Sequence, residues 1–275
     1  MDAYTESMAV LLTSTAPAGT TGTSGYSLLI ADDRDQVAAA QRLRYDVFAA
    51  ELGAHLPTAG TGLDVDEFDE FCDHLIVREE PSGAVVGTYR MLPPQAAARA
   101  GRRYADSEFD MRAFSPLRDH LVETGRSCVH PDHRTGAVIN LMWAGIARYL
   151  HLKNLRWLGG CASVPLAGGP ATAAGVWDLA RTKHLSPPTL RVRPRRPWLA
   201  EPGAAAAVAA HTGRAAVPPL LRGYLRLGAW ICGEPAYDPD FGVADLYVLL
   251  SLDRMDPRYL KHFLGSSQPS LGDVK

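Results

Sequence analysis

Several charged residues of this 275-residue chain stand where the local pattern calls for apolar ones. Arg44 lies four residues after Ala40 and four before Phe48, on the apolar face of a helical repeat. Arg90 alternates with Val86 and Thr88 in a run that reads as a strand, and Glu123 shares a strand face with Leu121 and Val129. Arg126 falls on the opposite face unless a bulge intervenes, and Thr124-Gly125 offers a place for one. An acidic run, Asp64, Asp66, Glu67 and Asp69, is interleaved with Phe68 and Phe71, which tie it to a core. Taken singly, each feature has an ordinary account, a snorkelling arginine or a solvated acidic loop. Taken together, they point to a mutually compensated polar pocket in which a semi-buried carboxylate can serve as a general base.

Other chemistries fit less well. As a calcium loop the acidic run lacks glycine at its sixth position and offers Leu75 where a bidentate glutamate is needed. Four cysteines, Cys72, Cys128, Cys161 and Cys232, contain no CxxC pair, so zinc is not expected and they read as core residues in a reducing compartment. The loop His133-Arg134-Thr135-Gly136 opens onto a helix, whose free N–H groups favour an anion, with Arg134 as a charge partner and Gly136 allowing close backbone approach.

The elements that must position these residues are legible in outline. Tyr26–Ile30 reads as a strand and Asp32 or Asp33 as the cap of a helix reaching about Leu52. Cys72–Arg78 and Ala84–Leu92 form a hairpin, 95–105 is weakly helical, and Leu121–Val129 is a further strand. A buried helix follows over Ala137–Leu150, then a strand over Leu155–Val164, and a short helix around Ala173–Lys183. Pro218–Leu227 is helical, and Trp230–Gly233 and Val243–Leu252 close as strands. Interleaved helices and strands favour an α/β or mixed α+β architecture. Residues 1–25 read as a tail, 26–255 as one domain with an insertion at about 165–215, and 256–275 as a C-terminal tail.

Composition narrows the class. With 47% apolar and 21% charged residues the chain is globular, and a net charge of −2 gives no reason to expect a nucleic-acid partner. No apolar run is long enough to span a membrane, and the N-terminal residues lack a basic signal region, so the protein reads as cytoplasmic.

The spaced motifs Arg44-Tyr-Asp-Val-Phe48, Asp66-Glu-Phe-Asp69, Gly87-Thr-Tyr-Arg90-Met-Leu-Pro and Glu123-Thr-Gly-Arg126 resemble the signature of the acyl-homoserine-lactone (autoinducer) synthases, a branch of the GNAT-type N-acyltransferases. That family carries a tryptophan shortly after the first helix, where this chain has Leu52-Gly-Ala-His-Leu56. The stretches ETGRSCVHPDHRTGAVINLMWAGIARYL, GGCASV, KHLSPPTLRVRPR and GYLRLGAWICGEPAYDPDFGVADLYVLL resemble instead a sister group, the hemolysin-like N-acyltransferases that form ornithine lipids. The two resemblances together cover about residues 26–255.

This resemblance implies a GNAT-like fold: a central mixed, mostly antiparallel twisted sheet with two splayed parallel strands, flanked by helices. It implies transfer of a 3-hydroxyacyl group from acyl carrier protein, or from coenzyme A, to the α-amine of L-ornithine, by direct attack and with no tightly bound cofactor. Glu123 and Arg126 would be catalytic. Arg44, Phe48, Asp66, Asp69 and Arg90 would bind the acceptor. Ser127, Cys128, Val129, Arg134, Gly136 and Ser163 would meet the pantetheine arm. A covalent route through Cys128 or Cys161 is the lesser option. Arg191, Arg193, Arg195 and Arg196 form a basic stretch suited to an acidic carrier, with Lys183, Arg222 and Arg226 adding to it. A long-chain product is compatible with peripheral contact at the inner membrane face. The alternatives are an autoinducer synthase using S-adenosylmethionine, another N-acyl amino acid synthase, and a non-catalytic acyl- or carrier-binding module; matched charges at Glu123, Arg44 and Arg90 argue against the last.

Overall fold

The capped start of the first helix sets the frame. The Asp33 side chain accepts the Gln36 N–H at 2.7 Å, and α1 runs over Arg34–Tyr45. It continues through Asp46–Glu51 in a wider turn, in which Leu52 N–H reaches the Val47 carbonyl at 3.0 Å. The computed structural model describes residues 10–14, 25–56, 58–255 and 258.

The strands are β1 Val10–Ser14, β2 Tyr26–Ile30, β3 Asp73–Glu79, β4 Val85–Leu92, β5 Phe109–Asp110, β6 Leu121–Val129, β7 Trp157–Pro165, β8 Arg193–Pro194, β9 Trp230–Ile231, β10 Ala236–Asp238 and β11 Val243–Ser251. The remaining helices are α2 Pro94–Ala100, α3 Gly136–Leu152, α4 Ala171–Leu179, α5 Ala204–Ala210 and α6 Pro219–Arg226. Among the described residues the main sheet has the order β1-β2-β3-β4-β6-β7-β11-β10, with β9 added to β11, and β5 and β8 form a separate pair. Every pairing between these strands is antiparallel except β6 with β7.

Alternation along the strands divides the core. Leu29 and Ile76 meet Ala40 of α1, while their neighbours Leu28, Leu75 and Val77 pack with Trp143 and Ile146 of α3 on the other face. The sheet is thus covered on both sides, as its nearly continuous apolar strands require.

One expectation needs correction. Val10–Ser14 is not tail but an edge strand paired with β2; the rest of 1–25, and 256–275 apart from residue 258, lie outside the described residues. The 165–215 stretch, read as an insertion within the domain, packs into the main core. Ala173, Val176 and Trp177 of α4 and the nearby Trp198 are buried in the main core, and β8 pairs with β5. Strands β5, β8 and β10, each of two or three residues, are too short for alternation to reveal.

Two local devices shape the centre of the sheet. The parallel pairing of β6 and β7 covers only Leu121↔Trp157, Val122↔Leu158 and Glu123↔Gly159, after which the strands part. At that point Gly159 and Gly160 admit the Tyr247 hydroxyl and the Thr124 carbonyl, which a Cβ would strike. On the other edge of β6, register with β4 passes from Thr88↔Cys128 to Arg90↔Gly125, so Arg126 and Ser127 oppose Tyr89 alone. This is the anticipated bulge, placed one residue beyond Thr124-Gly125, and Arg126 there has φ +52°. Gly160→Ala is expected to destabilise the fold by about 1–3 kcal/mol, because a backbone oxygen must give way. A urea midpoint equal to that of the parent would show that the strands separate freely.

Candidate active site

The charges that broke the apolar pattern converge. The Arg44 guanidinium, wholly buried, holds Asp69 Oδ2 at 2.8 Å and Asp64 Oδ2 at 2.9 Å. Arg90 reaches Asp69 Oδ1 at 3.1 Å and pairs closely with Asp66. Arg126 holds Asp66 Oδ2 at 3.2 Å and Asp64 Oδ2 at 3.0 Å. The six side chains therefore form a closed cycle, Arg44–Asp69–Arg90–Asp66–Arg126–Asp64, in which each acid meets two arginines and each arginine two acids. Helix α1 supplies the first arginine, β4 the second and the β6 bulge the third; the loop between α1 and β3 supplies the acids. Burial acts to raise the Asp69 carboxyl, but hydrogen bonds and charge from Arg44, with the charge of Arg90, hold it well below the usual carboxylate range. Asp66 is likewise lowered, with burial opposed by Arg90 and Arg126.

The bulge makes this possible. It turns Arg126 to the loop side, where its guanidinium lies 4.9 Å from the ring centre of Phe241 and 5.4 Å from that of Tyr104. The left-handed backbone of a non-glycine residue costs about 1–3 kcal/mol, which these contacts offset.

Glu123 stands apart from the cycle, at the last paired position before β6 and β7 diverge. Its two oxygens accept the backbone N–H groups of Tyr104 at 2.7 Å and Ala105 at 3.0 Å. Burial pushes its carboxyl up to about 7, against the lowering effect of those two N–H donors. It opens onto a cleft of about 510 Å³ between the diverging strands. A carboxyl that titrates near neutrality beside a slot between strands has the properties of a general base.

The acetyltransferase (GNAT) domain model matches residues 43–144. An L-ornithine N(alpha)-acyltransferase of Rhodobacter capsulatus is 36% identical over 248 residues, covering 86% of this chain and 94% of the relative. One from Brucella abortus is 32% identical over 247 residues, covering 85% and 87%. The chain belongs to the L-ornithine N(alpha)-acyltransferase family. Among solved structures, FeeM, an N-acyl amino acid synthase from uncultured soil microbes, overlays with a TM-score of 0.48 at 9% identity, covering 87% of this chain and 95% of that one. The architecture is the GNAT-like mixed sheet flanked by helices that the motifs implied.

Within this acyltransferase the expected site residues divide. Phe48, Arg90, Glu123, Arg126, Ser127 and Ser163 line the cleft. Arg44 and Asp69 do not: both are buried behind it and hold the loop, which corrects their expected place against the acceptor. Asp66 shares the cycle with a partly exposed side chain. Cys128 packs against Leu43 and Val47 of α1, not toward the cleft, and burial pushes its thiol well up. Cys161 lines the cleft, but burial raises its thiol too, so neither cysteine is an activated nucleophile. Val129 is half-buried against the main core. Arg134 donates to Glu51 Oε1 at 2.7 Å at the cleft's margin, and Gly136 is exposed at the start of α3, outside the lining. Tyr104, Phe241, Asp238 and Asp245 also line the cleft and were missed by pattern reading. For Asp245 the signal was present, a lone acid in the apolar run of β11.

Arg44→Met strands two buried carboxylates and should lower stability at neutral pH by about 3–5 kcal/mol. Asp69 is depressed in the folded state, so its contribution is full above the ordinary carboxylate range and fades as pH falls through its lowered value. The parent should therefore lose stability in acid below about pH 4, while Arg44→Met shows a flatter acid limb. Parallel acid limbs in urea unfolding would contradict the pairing.

Proposed function

We propose that this enzyme transfers a long-chain (3-hydroxy)acyl group from the phosphopantetheine thioester of acyl carrier protein to the α-amine of L-ornithine, giving lyso-ornithine lipid. The observation that carries the mechanism is Glu123, buried, titrating near 7 and set at the apex of the slot. Glu123, acting through a water, takes a proton from the α-ammonium and frees its lone pair. The amine attacks the thioester carbonyl; the C–N bond forms, the C–S bond breaks, and the departing thiolate takes up a proton. Backbone N–H groups of the bulge, near Arg126–Val129, stabilise the oxyanion, each such donor accounting for about 2.7–4 kcal/mol of barrier. Arg90 lines the cleft and pairs with the acceptor carboxylate. The arm lies between β6 and β7 against Ser127 and Ser163, and the chain follows the apolar wall of Phe48, Leu52 and Leu220.

Two basic surfaces suit an acidic carrier. In the Arg191–Arg196 stretch, Arg191 donates to the Ser186 carbonyl, Arg195 to the Asp106 carbonyl and Arg196 to Glu201, with Arg196 also 4.4 Å from the Tyr237 ring centre. Helix α6 turns Leu221 toward the cleft and Arg222 toward a groove of about 730 Å³ that also holds Lys183 and Arg226. The groove is the better docking site, because helix α6 borders both it and the cleft. No helix among the described residues is long and apolar enough to cross a membrane, and contact with a membrane surface would use the same basic faces.

Incubation with long-chain 3-hydroxyacyl carrier protein and a panel of amines, followed by thiol release, tests the reaction. Ornithine-dependent release is expected; release only with S-adenosylmethionine, or none despite carrier binding, would overturn the reading. The kcat/KM of the parent should rise with pH through about 7, as Glu123 ionises. Glu123→Gln should lower turnover by roughly a hundredfold or more and abolish that limb. Lys183→Glu with Arg226→Glu should weaken carrier binding more than Arg195→Glu with Arg196→Glu, and most at low salt. The opposite ranking would move the carrier to the Arg191–Arg196 face.

A further inference from the structure

A second group of acids meets on the wall of the same cleft, without the balance that the arginine cycle provides. Glu108 follows the turn whose N–H groups hold Glu123, Asp238 ends β10, and Asp245 faces Ser163 across the β7–β11 pairing. Their carboxylate oxygens lie within 4.8 Å of one another. Asp245 is 2% exposed and Asp238 8%, and both line the cleft. Asp238 Oδ1 accepts the backbone N–H groups of Asp240 at 2.8 Å and Phe241 at 3.2 Å. Asp245 Oδ1 and both oxygens of Glu108 are buried with no hydrogen-bond partner. Burial first, and then the neighbouring carboxylates, push Glu108 and Asp245 up from the usual range. The nearby Arg126 is already committed to Asp64 and Asp66. Acceptors outnumber donors here, the hydroxyls of Ser163 and Tyr104 being the neutral groups beside them, and a buried acceptor left unsatisfied is costly.

We propose that Glu108, Asp238 and Asp245 bind the side-chain ammonium of the amino-acid acceptor. This deepens the reading above and rests on it for the identity of that acceptor. A primary ammonium carries three N–H donors and no acceptor, which matches three converging carboxylates. A hard divalent cation would also take these carboxylate oxygens, completing its shell with water, and is the occupant the metal arm of the test distinguishes. The arrangement also sorts the two nitrogens of a diamino acid. The amine held by the acids stays protonated, has no lone pair and does not attack. The other faces Glu123, which removes its proton. One turn serves both ends, since residues 104 and 105 position Glu123 while residue 108 joins the acidic cluster.

The test compares L-ornithine with L-norvaline, which has the same carbon chain without the terminal amine. Calorimetric binding to the full chain is measured alongside kcat/KM for acyl transfer from 3-hydroxyacyl carrier protein. The parent should favour ornithine by roughly tenfold or more in both measurements, and Asp245→Asn and Glu108→Gln should each bring the ratio toward one. The ratio is the readout because general damage to the fold lowers both terms. A parent without preference, or a preference that survives both substitutions, overturns the subsite. Preferential binding of ornithine with no acyl transfer leaves the subsite standing and removes the reaction. Transfer with an unaltered preference in the variants does the reverse. A rise in melting temperature with Ca²⁺ or Mg²⁺ alone, lost in Asp245→Asn, would assign the cluster to a metal and also overturn the proposal.

Discussion

A buried charge is tolerated only when it is paired and hydrogen-bonded, and the closed cycle of three arginines and three aspartates satisfies that condition for six charges at once. Its consequence is positional. Arg44 belongs to a helix, Arg90 to a strand, Arg126 to a bulge, and the acids to an otherwise irregular loop. None of these can shift without exposing an uncompensated charge to its neighbours. The loop is thereby fixed beside the sheet, with Phe68 packed on Leu92 and α2, and Phe68 also lies 5.9 Å from the Arg90 guanidinium. The cycle is neutral overall, so it stiffens the site without setting up a strong field in it.

The slot arises from a different constraint. Parallel strands stay paired while their backbones lie at ordinary spacing, and β6 and β7 cease to do so after three residue pairs. Glycines at 159 and 160 accept the close approach of Tyr247 and Thr124, and the bulge at Arg126 bends β6 away on its other edge. Glu123 sits where these effects meet. Its position accounts for its chemistry: burial makes the charged form costly, two backbone N–H groups restrain that cost, and the balance falls near neutrality. A base of this strength suits an amine acceptor, which must lose a proton before it can attack a thioester.

Two groups of acids thus share one site in opposite electrostatic states. Asp64, Asp66 and Asp69 are each paired with two arginines of the chain, and Asp66 and Asp69 are pushed down. Glu108 and Asp245 lack a free cation and are pushed up. The first group serves the fold. The second is left for what enters the cleft, and this division separates structural acids from those addressed to a ligand more sharply than residue type does.

The sequence alone determined the main strands, α1, α3 and the existence of a compensated polar centre, because alternation and helical repeat report burial directly and a charge that violates them is visible. Arg44, Arg90, Glu123 and the acidic run were legible for that reason, and the need for a bulge beside Arg126 followed from the strand's two-residue period. What only the tertiary structure decided was the allocation of roles. Whether Arg44 meets substrate or holds Asp64 and Asp69 depends on which side of the loop it occupies, and spacing along the chain carries no such information. The meeting of Glu108, Asp238 and Asp245 is of the same kind. Asp238 and Asp245 lie on the paired strands β10 and β11, but Glu108 belongs to a turn more than a hundred positions earlier, and only the packing of that turn beside these strands brings the three within reach of one another.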